Sequence, residues 1–309
     1  MGNKNISLNS KNNFNLDLYT NLSCLPPEKI YSDAHCFQLS HPADILNSVF
    51  KRVISALEEL ILLKNGEQKL KLGTSIRNFL DAADNFYDNM FNIILSTKKP
   101  TVDKEFRTSR EAILGHGYHD GITFSQHTLK ESSFISDRNN ASKHDNISFN
   151  PCEIRYPQST YHVHGFFIGV LSKDDMMEPH KAFHPLYKGL YTGISYNFLI
   201  IKTISLLYFY CKKLNKVLFN NKLSQTTCEQ NNNIILPAKI VCLSVQEIFF
   251  PDEYTKICGK FEFTKRGSLV IDPTYKTEKC EHTSWHLSNL ITVNDRTRHG
   301  NSIIPYFRG

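Results

Sequence analysis

The chain has 309 residues, of which 36 are Lys or Arg and 30 are Asp or Glu, so its formal net charge is +6. With 40% hydrophobic residues, it has the composition of a globular protein rather than of a collagen-like or disordered one. The positive charge is mild and not gathered into a run of Lys and Arg, so we expect no nucleic-acid partner. The longest apolar stretch, residues 198–211, is short and contains Lys202, so we expect no membrane span.

The first part of the chain divides into a leader and a helical region. Residues 1–28 are rich in Asn and Ser and lack hydrophobic periodicity, so we expect a mobile leader. From Pro42 to Gly66, apolar residues recur at steps of three and four, which predicts an amphipathic helix. A second helix is predicted from Thr74 or Ser75 to just before Pro100. The short connection makes them an antiparallel pair within a helical region of residues 29–100.

The remainder, residues 101–309, is predicted to be a mixed domain. Residues 101–160 are rich in Gly, His, Ser and Asn and predict loops around a few short elements. A helix is predicted over residues 196–219. Strands are predicted at residues 161–171, 234–243, 246–250, 260–264 and 268–271. The fold class is therefore α+β, without the βαβ repeat of dinucleotide-binding folds.

One segment carries a candidate catalytic carboxylate. Glu247 precedes the apolar residues Ile248, Phe249 and Phe250, and Pro251 follows them. This segment resembles the catalytic strand of ADP-ribosyltransferase toxins and effectors, in which a glutamate opens an apolar run. In that family the glutamate stabilises the positive charge that develops as the bond between nicotinamide and ribose breaks. The arginine-modifying members place Glu or Gln two residues earlier, where this chain has Val245.

A second segment extends the resemblance. The strand that contains His164, Phe166 and Phe167 is followed by a loop with Lys181 and His184. This arrangement is similar to the first cleft strand and following loop of the secreted effectors that act as arginine ADP-riboxanases. The resemblance covers about residues 155–265. It implies that Phe166 or Phe167 packs on the nicotinamide of NAD, and that His164, Lys181 or His184 contacts its ribose or pyrophosphate.

The function that this resemblance implies is group transfer. The mixed domain would hold an NAD cleft, and NAD would be the substrate whose ADP-ribose, or a derivative of it, passes to a side chain of a host protein. Such a protein is made in the bacterial cytoplasm and secreted into the cytoplasm of the host cell, where it acts as a toxin or virulence effector.

Two alternatives come from other classes of protein. A papain-like cysteine hydrolase would use Cys36 as nucleophile, His164 as base and Asp272 as the acidic partner, an order along the chain that fits such enzymes. A non-catalytic protein-binding module is the second alternative.

The histidines also invite a metal interpretation. His162 and His164 alternate on a predicted strand and so share one face, while His180 and His184 are four residues apart. Because Pro179 and Pro185 flank the second pair, a helix that would align it is short at best. We therefore expect no metal site.

Overall fold

The computed structural model describes residues 17–35, 37–65, 72–102, 104–144, 147–155, 162–173, 176–220, 232–263, 269–276, 291–293, 303, 305 and 306. Within these ranges the chain forms helices and small antiparallel sheets, as an α+β protein does. The helices are α1 (Asp17–Ser23), α2 (Pro42–Lys64), α3 (Leu72–Ser96), α4 (Ser109–His116), α5 (His119–His144), α6 (Tyr196–Phe219) and α7 (Asn232–Ser244).

The predicted antiparallel pair is confirmed as α2 and α3. Pro42 occupies the first turn of α2, and the His41 side chain caps that turn by accepting a hydrogen bond from the Ala43 N–H. Contacts between the two helices run in opposite directions along the chain, because Arg52 pairs with Asp81 while Glu59, later in α2, accepts a hydrogen bond from Ser75, earlier in α3. The apolar faces of both helices lie in the main core.

The leader expected over residues 1–28 is wrong from Asp17 onward. Residues 17–23 form α1, and its Leu18 and Leu22 are buried in the main core. The side chain of Asn21, also in α1, donates a hydrogen bond of 2.8 Å to Asn215 of α6. Residues 1–16 lie outside the described ranges.

The loops predicted over residues 101–160 are replaced by α4, the 26-residue helix α5 and a strand. The α5 helix packs on α3 and α6. Much of its buried face consists of short polar side chains, which conceals the apolar periodicity on which the prediction relied. These buried polar residues are Thr128, Ser132, Asn139 and Ser142.

The strands of the described ranges are β1 (Ser148–Arg155), β2 (His162–Leu171), β3 (Met177–Pro179), β4 (Leu186–Tyr187), β5 (Leu190–Tyr191), β6 (Ile194–Ser195), β7 (Lys260–Phe263), β8 (Leu269–Asp272) and β9 (Ile291–Val293). They form three small sheets. The largest has the order β3-β2-β1-β9, with β6 also paired to β2, and the pairs β4-β5 and β7-β8 form two hairpins. The predictions of β2, α6, β7 and β8 are confirmed to within a residue or two.

Two predicted strands are wrong. Residues 234–243 belong to α7, a helix that tolerates Pro237 in its interior and packs on α2. Residues 246–250 follow α7 as irregular backbone without strand pairing. An apolar run shorter than a dozen residues fits a buried helix as well as a buried strand, so its hydrophobicity alone does not separate the two.

The central sheet has a different core on each face. Along β2, Phe166 and Ile168 point into the main core with the helices, while Val163 and Phe167 belong to a second cluster that includes Tyr306. No helix of the described ranges is long and apolar enough to cross a membrane.

Candidate active site

A polar patch occupies the end of the β1–β2 hairpin where β2 begins. His162 and His164 continue the row of β2 that further along holds Phe166 and Ile168, yet both histidines are exposed. The helices therefore cover only the later part of this face. The imidazole rings of His162 and His164 lie nearly parallel, with their centroids 6.4 Å apart. The prediction that these two histidines share one face is confirmed.

The register of the hairpin brings a carboxylate to both histidines. Glu153 of β1 lies directly across from His164, and Arg155 lies across from His162. The Glu153 Oε1 atom is 2.5 Å from Nδ1 of His162 and accepts a 3.1 Å hydrogen bond from Nε of Arg155. Its Oε2 atom is 4.0 Å from Nδ1 of His164. One carboxylate thus faces two imidazoles and a guanidinium.

The electrostatics of this patch favour a charged Glu153 and a neutral His164. Burial tends to raise the pKa of Glu153, but hydrogen bonds from His162 and Arg155 outweigh it and lower this pKa, so the carboxylate is charged at neutral pH. Partial burial lowers the pKa of His164; the charge of Glu153 opposes this shift, while the neighbouring His162, Arg155 and Lys64 reinforce it, and the net direction is downward. His164 is therefore mainly neutral at pH 7 and able to accept a proton.

A histidine whose Nδ1 is held by a carboxylate has a defined role in proton transfer. The carboxylate fixes the ring orientation and stabilises the imidazolium, leaving Nε2 as the nitrogen that exchanges protons with a substrate. His162 has this arrangement, and its side chain is 42% exposed, against 51% for His164 and 16% for Glu153. The patch combines a neutral imidazole, a carboxylate-paired imidazole and a guanidinium within reach of solvent.

A second polar cluster lies on the other side of the sheet and is closed to solvent. The carboxylate of Glu253 accepts hydrogen bonds from the backbone N–H and hydroxyl of Ser195, at 2.8 and 2.6 Å, and from the Phe250 N–H at 2.8 Å. Neighbouring Asp252 accepts a hydrogen bond from the Tyr306 hydroxyl and pairs with Lys256. Because Glu253 is 1% exposed, this cluster joins chain segments rather than meeting a substrate.

The two phenylalanines expected to pack on nicotinamide lie in different places. Phe166 contacts Phe149 and Tyr196 in the main core, whereas Phe167 belongs to the smaller cluster on the opposite face of the sheet. Both side chains are fully buried. Neither ring is presented to a ligand in this arrangement.

The two candidate NAD-contacting residues in the loop after β3 also lie in different environments. Lys181 is exposed, while His184 is fully buried and accepts a 2.8 Å hydrogen bond at Nε2 from the Ile168 N–H. Burial lowers the pKa of His184 to about 3, so this imidazole is neutral. It has the contacts of a core histidine that fastens the loop to β2.

Glu247 lies on the irregular backbone after α7 and is exposed. Partial burial raises its pKa, an effect that Lys260 opposes and Glu262 reinforces. These neighbours place Glu247 by the β7–β8 hairpin rather than beside His164. The candidate residues for NAD are therefore not gathered into one cleft, and ADP-ribose transfer stays a prediction.

The proposed hydrolase triad is not assembled among the described residues. Cys36 lies outside the described ranges. His164 faces Glu153, whereas Asp272, at the end of β8, accepts hydrogen bonds from the backbone and hydroxyl of Thr274. Within the part of the chain that the structure describes, no group of three His, Cys, Asp or Glu residues is placed to hold a metal ion.

Sequence reasoning missed Glu153 and Arg155, although it singled out both histidines. Alternation of charged and apolar residues in the segment Cys152-Glu153-Ile154-Arg155 is the signal that could have shown a half-buried strand. Comparisons with protein-family models, with curated proteins and with solved structures find no match to this chain.

Proposed function

We propose that the protein cleaves RNA without a metal ion, by acid–base catalysis at His162 and His164. The observation that carries the proposal is the carboxylate of Glu153, which faces two exposed, neighbouring imidazoles beside Arg155. Two neighbouring histidines, one acting as base and the other as acid, can remove a proton from a nucleophile and supply one to a leaving group in a single displacement.

The reaction follows from the roles of the residues. His164 accepts the proton of a ribose 2′-hydroxyl, and the 2′-oxygen then forms a bond to phosphorus. The bond from phosphorus to the 5′-oxygen breaks, and the imidazolium of His162 donates its proton to that oxygen. The products are a 2′,3′-cyclic phosphate and a 5′-hydroxyl, and proton exchange with water restores both imidazoles.

RNA is the favoured substrate class because it contains its own nucleophile. An adjacent hydroxyl attacks with the advantage of an intramolecular reaction, so no metal ion is needed to activate water. The negative phosphate fits the local charge, since among the described residues Arg155 contacts Glu153 through its Nε and its side chain is 52% exposed. This proposal differs from the expectation, drawn from composition, that the chain has no nucleic-acid partner.

The test is cleavage of a ribodinucleotide by purified protein in excess chelator. We expect cyclic phosphate to form, and His162→Ala and His164→Ala each to lower the rate by about 10²-fold or more. His127→Ala, which removes an exposed histidine of α5, is the matched control and should retain the full rate. A rate that is unchanged in both active-site variants would refute the proposal.

The same preparation tests the function implied by the sequence resemblance. Release of nicotinamide from NAD, abolished in Glu247→Gln and retained in His164→Ala, would favour ADP-ribose transfer over RNA cleavage.

A further inference from the structure

A cleft of about 390 Å³ opens between the loop that precedes α2, the middle of α3 and the start of α4. Its volume lies in the range of small-molecule sites and exceeds the needs of a single inorganic ion. Its lining combines the apolar side chains of Phe37 and Leu39 with the charged side chains of Asp88, Arg107 and Arg110. None of these residues belongs to the patch around Glu153.

Arg110 is a fixed part of the wall. Its guanidinium lies over the rings of Tyr87 and Phe91, at 4.9 and 4.7 Å from their centroids, and pairs with Asp88 at 3.1 Å. Burial raises the pKa of Asp88, and the charge of Arg110 opposes that rise. The aromatic contacts and the ion pair together define where this arginine sits.

Arg107 differs from Arg110 because its guanidinium has no ion-pair or hydrogen-bond partner among the described residues. Its backbone N–H is occupied by the Glu111 carboxylate at 3.0 Å, and Thr108 caps α4 by accepting from the Glu111 N–H. The Glu111 side chain and the Thr108 hydroxyl thus already hold two backbone N–H groups at this helix start. The guanidinium of Arg107 is the group left to recognise a ligand.

We propose that this cleft binds a small organic anion. Its phosphate or carboxylate group pairs with Arg107, which offers a planar set of donors suited to either oxyanion. Its apolar or aromatic body lies on Phe37 and Leu39. A ligand of this class contacts both Arg107, which is unpartnered among the described residues, and the apolar side chains of the cleft.

The experiment measures binding to the full chain by calorimetry. The probes are AMP, which carries a phosphate on an aromatic body, and N-acetylphenylalanine, which carries a carboxylate. Adenosine, which has the body without the anion, is the matched control ligand. We expect saturable binding of AMP or N-acetylphenylalanine, none of adenosine, and an affinity about 10-fold weaker in Arg107→Gln.

Lys104→Gln supplies the matched protein control, because Lys104 is an exposed cation of the same segment that lies over Phe106 and does not line the cleft. It should bind as the unmodified protein does. Since Arg107 is exposed, its substitution leaves the fold intact. Absence of binding by both anions at about 10 mM, or equal affinity in Arg107→Gln, would overturn the proposal.

Discussion

The buried carboxylate of Glu253 predicts an unusual dependence of stability on pH. Burial, reinforced by the charge of Asp252, raises the pKa of Glu253 from 4.5 to about 8, against the opposing hydrogen bonds from Ser195. The folded protein therefore binds this proton more tightly than the unfolded chain does. The contribution of Glu253 to the free energy of unfolding is therefore fully present below pH 4.5 and is lost as the pH rises toward 8.

The size of the effect follows from linkage. Each pH unit between the two pKa values changes the free energy of unfolding by about 1.4 kcal/mol, so the whole window amounts to several kcal/mol. Glu253→Gln removes the titration and should flatten this dependence. An amide nitrogen must also face at least one of the N–H or O–H donors, which lowers stability at pH 5 by about 1–3 kcal/mol.

The assay is urea unfolding at several pH values from 5 to 8, and the quantity compared is the slope of unfolding free energy against pH. Glu262→Gln, at an exposed carboxylate that pairs with Lys260 at 2.9 Å, should keep the slope of the unmodified protein. If Glu253→Gln keeps that slope as well, or if the unmodified protein becomes more stable from pH 5 to 8 relative to Glu253→Gln, the reasoning about this carboxylate is refuted.

Two further predictions concern packing and charge. A Cβ atom added at Gly165 would lie 2.2 Å from the Ile194 carbonyl oxygen and 2.8 Å from the Phe250 ring. Gly165→Ala should therefore destabilise the fold by about 1–3 kcal/mol, as measured by thermal unfolding. Gly73→Ala is the control and should not destabilise the fold, because the added Cβ meets nothing closer than 3.7 Å. Arg138→Met should leave stability within about 1 kcal/mol or raise it, because among the described residues Nε of Arg138 is buried without a hydrogen bond, and the guanidinium donates through Nη1 to the Phe134 carbonyl of its own helix. Arg110→Met removes a half-exposed ion pair with Asp88 and the cation–π contacts with Tyr87 and Phe91, so it should lower stability by about 1 kcal/mol. The opposite ranking of these two variants would contradict the charge argument.

The elements that sequence predicted correctly are those whose apolar residues follow one period. In α2 and α3, buried residues recur every three or four positions, and in β2 an apolar strand is bounded by polar turns. The α5 helix was missed because Thr128, Ser132 and Asn139 occupy its buried face, where tertiary contacts outweigh hydrophobicity. The Tyr87 hydroxyl, for example, lies 2.9 Å from the Thr128 hydroxyl.

The candidate active site could be predicted only in part. The alternation of His162 and His164 places both on one face of a strand, and this can be seen in the sequence. The contact of these histidines with Glu153 depends on the register between β1 and β2. If that register shifted by one residue, the Glu153 side chain would lie on the opposite face of the sheet. No local pattern fixes that register before the strands are paired.

The interpretation of Glu247 also depended on a predicted secondary structure. Its interpretation as a catalytic residue required a strand over residues 246–250, and the backbone there is irregular after the end of α7. The rigid support that a catalytic carboxylate needs is absent at Glu247 and present at Glu153, which lies within a paired strand.

Two substrates that differ in one hydroxyl group distinguish RNA cleavage by His162 and His164 from other reactions at phosphate. Purified protein in excess chelator is given a short RNA and the same oligonucleotide with a 2′-deoxy sugar at the cleaved position, and products are identified by mass spectrometry. Acid–base catalysis by His162 and His164 predicts a 2′,3′-cyclic phosphate from the RNA and no cleavage of the deoxy substrate. It also predicts that Glu153→Gln slows the reaction by about 10²-fold. Equal cleavage of both substrates, or no cleavage of either, would contradict the proposed function.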